Sequence, residues 1–141
     1  MANYYATARS NYFAVKDETA FREWADHLGL TIMEPCHPDK DAGAIRRFGI
    51  TPGNRDDSGS WPTMVWNETG DYEDINVFKQ LAAHLADDEV AIMLEVGNEK
   101  LRYVTGQAIA VNNKGKIRYV DLNTIYKRAM TLGKNITRAE F

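Results

Sequence analysis

VAIMLEVGNEKLRYVTGQAIAVNNKGKIRYVDL, residues 90–122, decides the fold. Val90, Ile92, Leu94 and Val96 recur at every second position, the period of a strand with one buried face, and are expected to point into the core. Gly97-Asn98 reads as the break that ends this strand. A second strand is expected from Lys100 to Val111, rich in β-branched and aromatic residues. Asn112-Asn113-Lys114-Gly115 is turn chemistry, because Asn tolerates positive φ and Gly supplies it without steric cost. A third strand follows from Lys116 to Leu122. Three such runs joined by two short turns predict an antiparallel meander.

Upstream, Asn11 to Lys16 reads as a strand with Phe13 and Val15 on one face. Asp17 suits a helix N-cap, and Phe21, Trp24, Ala25 and Leu28 make one helical stripe that Gly29 closes. Short strands are expected at 30–34, 44–50 and 61–67, Pro62 confining the last to an edge or to a strand start. Asp74 reads as the cap of a second helix with Ile75, Phe78, Leu81, Ala82 and Leu85 inward. Asn123 reads as the cap of a third, with Ile125, Ala129 and Leu132 inward. The expected fold class is α+β: an antiparallel or mixed sheet centred on the meander, with about three helices packed mainly on one face. Residues 1–141 read as a single domain with flexible loops near 36–43, 51–60 and 68–74. Phe21, Trp24, Phe78, Leu85, Ile92, Leu94 and Ile125 are the expected core.

Hydrophobic residues are 44% and charged residues 26% of the 141, ordinary for a globular protein with a real core. No apolar run approaches the roughly 18 residues of a membrane-spanning helix, and MANYYATARSNYF has no signal-peptide core. With one cysteine, no internal disulfide forms, which fits a cytoplasmic location. The net charge of −3 conceals a split. Residues 1–99 carry 18 acidic and 8 basic side chains, a balance of −10, whereas residues 100–141 carry 2 and 9, a balance of +7. Either the two regions neutralise each other at the surface or one of them is an interface.

The sequence holds no phosphate-cradling glycine motif, nucleophile elbow or paired-cysteine zinc motif. Cys36, His37, Asp39 and Asp41 are the densest set of potential ligands, but adjacent Cys and His seldom hold one ion together. Glu68, Asp71, Glu73 and Asp74 lack the offsets of a calcium loop. No catalytic residue, metal or cofactor is therefore expected. Tyr103 and Tyr119 alternate with Arg102, Lys116 and Arg118, which separates rings from cations and disfavours a single-strand-binding sheet. The candidate partner-binding residues are the cations Lys114, Lys116 and Arg118, the acids Asp56, Asp57, Asp71, Glu73 and Asp74, and the anchors Trp61, Trp66 and Tyr72.

Three stretches, ANYYATARSNYFAVKDETAF at 2–21, EVGNEKLRYVTGQAIAVN at 95–112 and TRAEF at 137–141, resemble small accessory proteins carried by phages, plasmids and other mobile elements. The resemblance implies a non-enzymatic inhibitor of a host defence complex, of the anti-CRISPR or anti-restriction type, acting in the bacterial cytoplasm. It implies a protein or ribonucleoprotein partner, such as a CRISPR effector, and no membrane. The alternatives are a nucleic-acid-binding accessory protein of a mobile element and an enzyme with an unrecognised site.

Overall fold

A computed structural model describes residues 4–35, 45–53, 59–100 and 102–139. The elements are β1 (Tyr4–Ser10), α1 (Glu18–His27), β2 (Leu30–Met33), β3 (Gly49–Pro52), β4 (Met64–Trp66), β5 (Tyr72–Asp74), α2 (Val77–Ala82), β6 (Val90–Glu99), β7 (Tyr103–Asn112), β8 (Ile117–Asp121) and α3 (Thr124–Ala129). The fold is α+β. Its main sheet has four strands in the order β1-β6-β7-β8, every pair antiparallel, with β2–β3 and β4–β5 as separate two-stranded ribbons.

The meander is present, with one turn moved. Gly115 takes φ 80° in the β7–β8 turn, as expected. β6 does not break at Gly97 but runs on to Glu99, and the chain reverses around Lys100, whose φ is 56°. Gly97 is a glycine for another reason: a Cβ there would lie 2.5 Å from Tyr4 Oη and 2.7 Å from the Tyr5 carbonyl. The expected strand at 11–16 is displaced too. β1 ends at Ser10, and Phe13 and Val15 make single bridges to Phe48 and Leu85. Asn11 prolongs the sheet with its side chain, donating to the Val90 carbonyl at 3.0 Å and accepting from Ile92 N at 2.7 Å.

One face of the main sheet is covered. Ala8, Ser10, Ala91, Met93, Ile109 and Val111 point to it, and Phe13, Phe21, Phe48, Ile50, Leu81 and Leu85 close over them. Asp17 caps α1, its carboxylate accepting from Ala20 N at 3.1 Å. Trp24 then donates to Gln80 at 2.9 Å, tying α1 to α2. Asn76, not Asp74, caps α2 by accepting from Lys79 N, because Asp74 is taken into β5. Ser10, buried in this core, accepts from Ile50 N at 2.8 Å, and Thr51 donates to the Ala8 carbonyl at 2.7 Å, so β3 is stitched to β1.

Of the seven expected core residues, Phe21 and Leu85 are buried, and Trp24 and Phe78 pack partly buried against the cluster. Ile92, Leu94 and Ile125 are exposed, which corrects the expected facing of β6 and of α3. Alternation fixes which residues share a face, not which face is covered. Here the covered face takes Ala91 and Met93, because Glu95 and Gly97 on the same face are needed against Trp61 and Tyr4. α3 buries no residue, so α1 and α2 build the covering layer. The expected loop at 68–74 is mostly the β4–β5 ribbon, and Thr51 and Pro52 belong to β3. The remainder of the loops near 36–43 and 51–60 falls largely outside the described residues.

Candidate functional site

The uncovered face of the main sheet is apolar. Register places Tyr5, Thr7 and Arg9 of β1, Val90, Ile92, Leu94, Val96 and Asn98 of β6, Val104, Gly106, Ala108, Ala110 and Asn112 of β7, and Arg118 and Val120 of β8 on it. Tyr5, Val90, Ile92, Leu94, Val96, Val104 and Val120 are each 40–67% exposed. At roughly 200 Å² for a fully exposed large apolar residue, these seven leave on the order of 700 Å² in water, above the roughly 300–600 Å² of the largest patch on an ordinary monomer. β7 contributes only small side chains from Gly106 to Ala110, so it is a shallow trough beside the β6 ridge. Leu122 closes one end of that trough, its Cγ 3.0 Å from where a Gly106 Cβ would stand.

The face carries cations and no acid: Arg9 at the β1 edge, Arg118 at the β8 edge, and Lys116 two residues before Arg118. Lys114 sits in the adjoining turn, and Lys114, Lys116 and Arg118 are all exposed. The salt bridges among the described residues join Glu18, Glu34 and Glu89 to Arg22, Arg46 and Arg47. None reaches a cation beyond residue 99, so the charge split is not neutralised by contact among these residues.

The other candidates separate into three groups. Trp66 and Tyr72 pack with ring centroids 3.8 Å apart and planes tilted by 37° on the exposed β4–β5 ribbon, where Asp74 shares their face, Glu73 lies on the opposite one and Asp71 sits in the turn. Asn67 shapes that ribbon's turn, its side-chain Oδ1 accepting from Thr69 N and Asp71 N. Trp61 is corrected from anchor to structural residue: it is 5% exposed, donates from Nε1 to the Leu94 carbonyl at 3.2 Å, and its backbone N donates to Glu95 at 2.9 Å. Asp56 and Asp57 lie outside the described residues, as do Cys36, His37, Asp39 and Asp41.

A polar cleft of about 370 Å³ opens on the covered side, beyond the helices, lined by Tyr4, Glu95, Thr105, Gln107, Tyr119 and Asp121. Its phenols and carboxylates pair with one another. Tyr4 donates to Glu95 at 3.1 Å and Tyr119 to Asp121 at 3.1 Å. Burial raises both phenols, with the neighbouring carboxylates adding to the effect, so neither serves as a base near neutrality. The register confirms that Tyr119 faces away from Arg118.

The sequence reading missed Ile92, Leu94, Val96, Val104 and Val120 as surface residues because it assigned the β6 stripe to the core. A signal was present. Residues 90–94 and 108–111 are continuously apolar, the pattern of strands meant to be covered on both faces. The described helices cover one. No family model, curated protein or solved structure matches the chain.

Proposed function

We propose that this chain is a non-enzymatic binding protein whose uncovered sheet face docks on a protein or ribonucleoprotein, inhibiting a host defence complex of the CRISPR-effector or restriction type. The observation that carries the reading is the acid-free apolar face itself. Its area is close to the roughly 800 Å² that each partner gives to a standard interface. Cations at its edges favour a partner surface that is apolar at the centre and anionic around it, as where the phosphates of a bound nucleic acid border the protein surface of a ribonucleoprotein. The resemblance of residues 2–21 and 95–112 to mobile-element accessory proteins supplies the choice of target.

The test is protection in cells. In bacteria defended by an active CRISPR effector, the wild-type chain restores phage plaquing, and Leu94→Glu/Val96→Glu, soluble and folded, does not. Pull-down of the purified effector follows the same pattern. Full activity of the double variant removes the face from the mechanism. Nucleic-acid binding is the second reading, favoured by Arg9, Lys116 and Arg118 on one side of the sheet. It predicts a steep loss of DNA or RNA affinity with salt, which protein docking does not.

A further inference from the structure

Two exposed elements of this chain complement each other in both charge and apolarity. The β4–β5 ribbon, residues 64–74, carries Glu68, Asp71, Glu73 and Asp74 and no cation. Its Met64, Trp66 and Tyr72 are each more than half exposed. The C-terminal segment 123–139 carries Lys127, Arg128, Lys134 and Arg138 and no acid. Its Ile125, Met130 and Leu132 are also more than half exposed, and α3 buries nothing. Between α3 and the sheet lies an apolar groove of about 630 Å³, lined by Val104, Val120, Leu122, Ile125 and Tyr126, with Arg128 at its border and one acid, Asp121, whose carboxylate is engaged by Tyr119 Oη and Asn123 N. That volume accommodates a stacked pair of aromatic rings.

The ribbon and the groove of one chain cannot meet. The ribbon is rooted at Thr63 and Ile75, joined by a 2.9 Å hydrogen bond, and these border a cavity with Glu95 and Gln107, which point to the covered side of the sheet. The groove is walled by Val104 and Val120, which point to the opposite side. We infer that the groove receives the Trp66–Tyr72 ribbon of a second copy of this chain. Such a contact is heterologous, ribbon to groove, so it propagates into a ring or an open chain rather than stopping at a two-fold dimer. Each side offers on the order of 400 Å² of apolar surface, which places the contact at the weak, concentration-dependent end of interfaces. The inference does not depend on the proposed inhibitory role.

Sedimentation velocity over a series from low micromolar to millimolar protein tests it. Wild-type mass rises with concentration at low salt and falls back at high salt. Asp71→Lys/Glu73→Lys/Asp74→Lys makes ribbon and groove both cationic, and Lys127→Glu/Arg128→Glu makes both anionic. Each variant alone stays monomeric, and an equimolar mixture associates again, because each ribbon now meets an opposite groove. Should the ribbon variant fold poorly, Ile125→Asp, which puts a carboxylate in the groove, gives the same loss of association. A wild-type chain that stays monomeric across the series overturns the inference. So does a mixture that stays monomeric, or association that survives in both charge variants and is lost in Leu94→Glu/Val96→Glu.

Discussion

His84 shows how a single residue's setting becomes a measurable property. It lies 5.1 Å from Trp24 and 6.2 Å from Phe21, ring to ring, at the margin of the core. Burial lowers its pKa below the ordinary 6.5, and the Lys16 charge lowers it further, against a smaller opposing pull from Asp17. The folded state therefore binds the proton less readily than the unfolded chain does. Its contribution to stability is full above the unfolded pKa and is lost as pH falls through the lower folded value. Melting of the wild type should drop between neutrality and mildly acidic pH, and His84→Gln should flatten that part of the profile. Equal slopes in both proteins would remove His84 from the acid response. His84 lies just past the end of α2, and nothing in its local sequence announces this setting, because Trp24 is 60 residues upstream and meets it only through tertiary packing. Asp17, by contrast, was legible as a cap, since capping is decided within one turn.

Elements were legible where the deciding interactions are local and misplaced where they are not. Gly115 was read as a turn glycine and is one, while Gly97 was read the same way and is a mid-strand glycine under Tyr4. The difference lies in β1, about 90 residues away, whose docking on β6 no local pattern announces. Tyr4 Oη, at the end of a flexible side chain, could shift away from an added methyl, but the Tyr5 carbonyl is β1 backbone and could shift only by lifting the strand. Gly97→Ala should therefore cost about 1–3 kcal/mol in urea unfolding, the usual price of overpacking. At Gly115, where no atom lies within 4 Å, Ala should cost only the roughly 1–2 kcal/mol of left-handed backbone. A fully stable Gly97→Ala would contradict the β1–β6 register. The inverted face of β6 has the same origin. Residues 90–94 are apolar on both faces, and Glu95, on the covered face, meets Trp61 and Tyr4.

At the scale of the whole molecule, charge and apolarity are sorted onto different sides. The helical layer and the β4–β5 ribbon carry most of the acids among the described residues, and the uncovered sheet face carries none. The sequence exposed this split as a count, −10 against +7, but not as a geometry. Geometry needed the register that puts Arg9, Lys116 and Arg118 on one side. The exposure of Lys114, Lys116, Arg118, Trp66, Tyr72, Asp71, Glu73 and Asp74 was legible, because turns and ribbons keep their local character. The larger apolar surface was hidden by the habit of assigning every apolar stripe to a core. Among the described residues no helix is long and apolar enough to cross a membrane, so this surface is not part of a helical span. The most direct measurement of the central claim is thiol accessibility on adjacent β6 positions. In a Cys36→Ser background, Met93→Cys and Leu94→Cys are treated with a thiol reagent under native, dilute conditions and followed by intact mass. The account predicts that the Leu94→Cys thiol reacts at once and the Met93→Cys thiol only on unfolding. Rapid reaction at 93 with protection at 94 would contradict it.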